Sequence, residues 1–299
     1  MRFSFWFAPN QPWDEILALA EHLEATGWDG LWFPDHFMSM GKEGHDLLEC
    51  WSVLAGLAAT VPRVRLGSLV AGNTYRHPAV LANTAATVDQ ISGGRLIVGI
   101  GSGWQRNEHE AYGIEFHDVG GRLRRLDEAC QVLRQLFSND RSSFDGRFYR
   151  LVDAPLEPKS GRPIPLLVGG SGEKVTLRIV AEHADEWNTW GLPRHLAEKG
   201  AVLESHCADV GRDPSEIRRS AQALLHVSTD ASWVDERRPL AESRQPTIVG
   251  RPHEVVETFQ AYRDAGVDEI IVPQFTLGDH RSAAATADLL MAEVIPALR

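Results

Sequence analysis

The stretch Ala25-Thr-Gly-Trp-Asp-Gly-Leu-Trp-Phe-Pro-Asp-His-Phe37 decides the fold. It reads as a helix end, a stop, a short buried strand and a proline exit. Upstream, Trp13–Thr26 is helical, with Ile16, Leu17, Leu19, Ala20 and Leu23 on one face. Gly27 stands just past the last turn, where a left-handed residue ends a helix. Gly30–Phe33 is then too short and apolar for anything but a buried strand. The frame Gly-x-Asp-x4-Pro returns near the other end as Gly266-Val-Asp-Glu-Ile-Ile-Val-Pro273. A helix-then-strand unit is therefore expected at both ends of the chain.

The same alternation runs between them. Strands are expected at Phe3–Ala8, Gly30–Phe33, Arg65–Val70, Arg95–Ile100, Pro165–Val168, Glu186–Thr189, Ala221–Val227 and Glu269–Val272. Helices are expected at Cys50–Thr60, Pro78–Ile91, Gly121–Phe137, Glu173–Ala184, Arg194–Val210 and His253–Ala265. Strands separated by helices run parallel. Eight such units in 299 residues predict a closed (β/α)8 TIM barrel of the α/β class, read as one domain over residues 1–299. Two stretches break the rhythm. Residues 138–163 are polar, contain Arg147-Phe-Tyr149 and read as an insertion after the fourth unit, a small hairpin over one barrel face. Residues 228–250 read as an irregular, mobile loop.

Composition narrows the partners. The formal net charge is −11, which argues against nucleic acid and anionic membranes. The cysteines, Cys50, Cys130 and Cys207, are odd in number and far apart, which fits neither a disulfide framework nor a cysteine zinc site. With no leader-like pattern and no apolar run of about 18 residues, a cytoplasmic protein is expected.

In a barrel of this kind chemistry sits where the strands end. After the second strand come Asp35 and His36, an imidazole beside a carboxylate, suited to moving a proton. After the third come Leu69-Val70-Ala-Gly72-Asn-Thr-Tyr75-Arg76-His77, a run whose small residues let a flat ligand approach the backbone. After the fourth comes Gly99-Ile-Gly101-Ser102-Gly103-Trp104, a superficial dinucleotide fingerprint. It lacks a helix opened by the glycines and an acid on the next strand, so the Rossmann reading is rejected. After the fifth, Gly169-Gly170-Ser171-Gly172-Glu173-Lys174 opens a helix and suits a phosphate. After the sixth come Trp187 and Trp190, indoles fit to line a flat-ring pocket. His36, His77, His109 and Asp35 make a poor metal set, because no His-x-His ends the first strand, and no metal is expected.

Taken in order, these pieces resemble the luciferase-like flavin and deazaflavin oxidoreductases. The carrying motifs are Gly30-Leu-Trp-Phe-Pro-Asp-His-Phe37, Tyr75-Arg-His-Pro78, Ser92-Gly-Gly-Arg95, Gly99-Ile-Gly-Ser-Gly-Trp104, Glu108-His-Glu-Ala-Tyr-Gly113 and Gly169–Lys174, spread over residues 3 to 275. The flavour is closest to the branch dependent on the deazaflavin coenzyme F420. The resemblance implies His36 as the catalytic proton carrier and Asp35 as a contact near the cofactor ring. It implies a cis bulge at Leu69–Val70 under that ring. Gly72, Ser102, Gly103 and Asn107 would hold the cofactor, and Gly169, Gly170, Ser171, Gly172, Glu173 and Lys174 its phosphate. Trp104 and Trp187 would line the substrate pocket, and relatives of this kind commonly form homodimers. A sugar-phosphate dehydrogenase branch carries Glu where this chain has Trp104, and its basic phosphate-binding residues are not evident here, so that substrate is not carried over.

The resulting expectation is hydride transfer between F420 and a small organic molecule. The alternative is an FMN-dependent monooxygenase, using oxygen and a flavin reductase partner. A metal-dependent hydrolase and a non-catalytic binding barrel are the readings from other classes.

Overall fold

The computed structural model describes residues 1–39 and 46–299. The strands are β1 (Arg2–Trp6), β2 (Gly30–Phe33), β3 (Arg65–Ser68), β4 (Ala71–Gly72), β5 (Leu96–Gly101), β6 (Arg141–Asp145), β7 (Arg150–Pro155), β8 (Leu166–Gly169), β9 (Glu186–Trp190), β10 (Arg218–Gln222), β11 (Leu224–Val227), β12 (Thr247–Gly250) and β13 (Glu269–Pro273). The helices are α1 (Trp13–Thr26), α2 (Cys50–Thr60), α3 (Pro78–Ser92), α4 (Arg106–Tyr112), α5 (Val119–Ser138), α6 (Thr176–His183), α7 (Pro193–Val210), α8 (Ala231–Arg237), α9 (Pro252–Asp264) and α10 (His280–Glu293). Among the described residues no helix is long and apolar enough to cross a membrane.

The strands pair in the order β3-β2-β1-β13-β10-β9-β8-β5, all parallel, and β3 pairs with β5 to close the ring. This is the expected eight-stranded barrel. The repeated Gly-x-Asp frame has a physical reason. Gly27 and Gly266 end their helices with φ of 92° and 82°. Each following aspartate then pins the start of the neighbouring strand. Asp29 N donates to Phe3 O at 2.9 Å, and Asp29 Oδ2 accepts from Phe3 N at 2.8 Å. Asp268 grips Arg219 the same way, at 2.8 Å and 2.8 Å. Asp185, which has no glycine two places before it, does the same to Leu166.

Side chains alternate along each strand. Phe3, Phe5, Leu31, Phe33, Val98, Val168, Trp187 and Val272 face the helices and form the main core. Trp6, Trp32, Ile97, Leu167 and Ile271 fill the barrel interior. At the floor Arg65 bridges Glu269, at 2.8 Å, and Glu186, while Trp32 Nε1 donates to Glu269 at 3.2 Å. The barrel is thus a packed rod, and ligands have access only at its strand ends.

Several boundaries differ from the sequence reading. The first strand ends at Trp6, and the third breaks at Ser68 before resuming as β4. The run Ala221–Val227 is not one strand. Only its start belongs to the barrel, where Gln222 accepts from Asn188 Nδ2 at 2.7 Å. The rest is β11, which pairs with β12 in a separate two-stranded parallel sheet. The stretch 228–250 is therefore built rather than irregular, with Asp230 capping α8 and Arg237 stacked 3.9 Å over Trp233. A helix of seven residues is too short to show periodicity in sequence. The insertion 138–163 contains the antiparallel hairpin β6–β7, whose turn hangs on Glu128 of α5. The helix expected from Glu173 begins only at Thr176, and α4 was not anticipated.

Candidate active site

His36 follows β2 by three residues. Its Nδ1 lies 3.1 Å from Glu108 Oε2, and its ring meets Trp104 edge-on with centroids 5.4 Å apart. Glu108 lies on the inner side of α4, and its side chain is 0% exposed. Besides His36 it accepts from Phe37 N at 2.6 Å, Met38 N at 2.8 Å and the Tyr75 hydroxyl. Burial works against its charge, but the His36, Tyr75 and Met38 hydrogen bonds outweigh burial and lower its pKa below the ordinary 4.5. A carboxylate only accepts, so Nδ1 of His36 carries the proton toward it and Nε2 is left for chemistry.

Asp35 plays a different part from the one expected. Its side chain is 0% exposed, and it takes two hydrogen bonds from Arg76, at 2.6 Å and 3.0 Å, and one from Gly72 N at 3.0 Å. Burial raises its pKa, with the Arg76 and Gly72 bonds opposing part of that rise. Arg76 also bridges Glu49 at 2.7 Å. The carboxylate beside the imidazole is therefore Glu108. Asp35 instead ties the β2 end to the β4 end through Arg76 and Gly72.

The Leu69–Val70 peptide is cis, as the resemblance implied. Val70 reaches across the barrel end, where two inward positions are glycine. A Cβ on Gly101 would stand 2.8 Å from Val70 Cγ2, and one on Gly169 would stand 3.0 Å from Val70 Cγ1. These glycines therefore make room for Val70 between β5 and β8. Gly72 lies under Tyr75, where a Cβ would meet the ring at 2.5 Å. Gly103 has φ of 76° and accepts from Arg122 Nε at 3.1 Å. Ser102 is half-buried, and Asn107 is exposed on α4.

The loop Gly169–Lys174 leaves β8 beside Val70. Gly170 has φ of 128°, and its carbonyl accepts from Trp187 Nε1 at 2.7 Å. Ser171 is half-buried, while Gly172, Glu173 and Lys174 are exposed. Lys199 of α7 reaches Glu173 at 2.7 Å. The hydrogen bond and charge of Lys199 hold the Glu173 carboxyl below its usual range. Because α6 starts at Thr176, any phosphate here would meet loop amides and Lys174 rather than the first turn of a helix.

Trp187 is a correction. It is 0% exposed, belongs to the helix-facing core and cannot line a pocket. Strand alternation explains the error, since three places on Trp190 faces inward against Trp6, with centroids 5.6 Å apart. Trp104 is 57% exposed beside His36. His109 has both ring nitrogens engaged, with Gln105 O and Thr74 Oγ1. Among the described residues the groups close enough to share an ion are Asp127, Glu182 and His183, on α5 and α6. A surface groove of about 580 Å³ at the start of α9, bordered by Arg251 and Glu257, shares no residue with this site.

A sequence model described as luciferase-like monooxygenase matches residues 1–243. The chain belongs to the luciferase-like monooxygenase family. Within it, the chain is 36% identical to an F420-dependent glucose-6-phosphate dehydrogenase of Kineococcus radiotolerans, over 98% of this chain and 94% of that one. It is 28% identical to a 5,10-methylenetetrahydromethanopterin reductase of Archaeoglobus fulgidus, over 93% and 80%. In structure it resembles an F420-dependent secondary alcohol dehydrogenase in complex with an F420-acetone adduct, with a TM-score of 0.85 at 20% identity, covering 100% of this chain and 99% of that one. The last likeness speaks for the fold.

Proposed function

We propose that the protein is an F420-dependent oxidoreductase that moves a hydride to or from a small organic substrate, with His36 as its proton carrier. The observation that carries this reading is the His36–Glu108 couple just past β2, beside which β3 runs into the cis Leu69–Val70 peptide. The chain's kinship with F420-dependent dehydrogenases and reductases supports the cofactor.

The residues present fit a flat ring with an anionic tail. The cradle is one that Cβ atoms at Gly101 and Gly169 would disturb by pressing on Val70. Asn73 Nδ2, next to Gly72, is buried without a hydrogen-bond partner among the described residues. The loop with Lys174 supplies amides and a cation for phosphate. When bound, the deazaflavin supplies two-electron hydride chemistry. The protein's own contribution is orientation and proton handling. The Leu69–Val70 surface sets the plane, Glu108 fixes the His36 ring, and His36 Nε2 exchanges a proton with the substrate oxygen. Trp104 shields the outer side of His36. A homodimer working in the cytoplasm belongs to the same proposal.

Titration of the full chain with F420 and with FMN, followed by tryptophan fluorescence, tests the assignment. Micromolar binding of F420 is expected, whereas FMN binding without an F420 response overturns it. A His36→Ala variant should lose about 100-fold or more in kcat, and full turnover would remove the proton role.

A further inference from the structure

The barrel end is divided into two electrostatic halves. Around the ring, β2, β3 with β4, β5 and β8 are contiguous, and so are β9, β10, β13 and β1. The five residues past each strand of the first set include Asp35, Arg76, Arg106, Glu173 and Lys174, with Glu108 two places further on. The five residues past each strand of the second set are Phe7–Gln11, Gln274–Gly278, Ala223–Val227 and Gly191–His195. Of Lys, Arg, Asp and Glu they contain one residue, Arg194, whose side chain is 93% exposed and paired with Glu198 at 2.9 Å.

That neutral half carries an aromatic wall. Trp6 packs on Trp190 at 5.6 Å and on Phe275 at 4.9 Å between centroids. Phe275 is nonetheless 44% exposed, which is unusual for a ring held in place on one side. The wall is fixed by uncharged groups. Gln11 and Gln274 exchange side-chain hydrogen bonds at 2.9 Å each, joining β1 to β13. Thr276 Oγ1 donates to Leu225 O at 2.9 Å, tying the Phe275 turn to β11, and Tyr262 donates to Gly191 O at 2.6 Å.

We infer that the substrate is an uncharged, largely apolar alcohol or carbonyl compound that lies against Trp6, Trp190 and Phe275. This rests on the reading above, in which the cofactor occupies the charged half. A phosphate or carboxylate on the substrate would be desolvated against this wall, and the one cation of these segments, Arg194, is 93% exposed and already paired with Glu198. The inference sets this chain apart from its sugar-phosphate-oxidising relatives.

Calorimetric titration of the full chain, with and without saturating F420, tests it with three probes. They are 1-phenylethanol, mandelate, which puts a carboxylate on the same frame, and glucose 6-phosphate. Saturable binding of 1-phenylethanol is expected, with mandelate and glucose 6-phosphate weaker by about tenfold or more. Phe275→Lys, at an exposed position, should close that gap by weakening the alcohol and strengthening mandelate. Equal or tighter binding of either anion, no saturable heat with 1-phenylethanol, or an unchanged preference in Phe275→Lys would each overturn the inference. A chain that selects 1-phenylethanol but binds no F420 would instead refute the cofactor assignment and leave the neutral half's preference standing.

Discussion

Glu108→Gln isolates the orienting role of the buried carboxylate. The amide keeps an oxygen for the Phe37 and Met38 N–H groups, now 2.6 Å and 2.8 Å from Oε1. It replaces the other oxygen, which receives His36 and Tyr75, with a donor. Loop anchoring is therefore largely retained, while His36 loses its acceptor and must turn or change tautomer. Losing a charge-assisted hydrogen bond costs about 1.5–3 kcal/mol. A mispositioned acid–base group costs about 10²–10⁴-fold in rate. We expect kcat to fall within that range while F420 affinity changes little, because the proposed ring surface is made by Leu69, Val70 and the glycines rather than by Glu108. Stability provides an independent reading. The folded pKa of Glu108 is depressed, so its contribution is fully present above about 4.5 and is lost as pH falls through the folded value. Denaturant melts of Glu108→Gln should therefore lose less stability than the parent on acidification below that point. A variant with unchanged kcat, or with the same acid sensitivity as the parent, would refute the reasoning.

Three further outcomes follow from the packing. Arg65→Met strips the floor cation from Glu186 and Glu269, whose side chains are 3% and 4% exposed. It should lower unfolding free energy by about 3 kcal/mol in urea melts, the low end for a broken buried pair because Arg2 and Arg218 remain nearby. Gly99→Ala places a Cβ 2.1 Å from the Ser68 carbonyl oxygen, a backbone atom that cannot step aside. A loss of about 1–3 kcal/mol is expected, and one below about 0.5 would mean β3 yields more easily than its geometry suggests. Lys174→Ala should weaken F420 binding and flatten its salt dependence, while a riboflavin probe, which lacks the phosphate, is affected less. Equal salt slopes in the two proteins would place the phosphate elsewhere.

The barrel was legible because its signals are local and repeated. Gly27 and Gly266 stop helices, and Asp29 and Asp268 begin strands by gripping the neighbour. The cis peptide was legible from the family resemblance, and His36, the proposed proton carrier, drew notice by its place after β2. The rest depended on distance. Glu108 lies 72 residues from His36, and nothing in the run Asn107-Glu108-His109 says which side chain turns inward. Asp35 was misread for the converse reason. Its sequence neighbour is His36, but its spatial partner is Arg76, 41 residues on. Trp187 and Trp190 differ by three places, an odd step on a strand, and a register error of one exchanges core for pocket. The small sheet of β11 and β12 joins segments whose turns and short helix carry no periodic signal.

The plug that Val70 forms over Gly101 and Gly169 has a consequence for evolvability. A barrel end filled by its own side chains leaves the ligand to the strand ends, away from the core. On the proposed reading, selectivity is written on the rim, in residues such as Trp104 and Phe275, which are 57% and 44% exposed and outside the packed core. Libraries randomised at these two positions should yield a high proportion of folded variants with altered substrate preference. In such a scaffold new chemistry and thermal robustness draw on different residues, so neither need be sacrificed for the other.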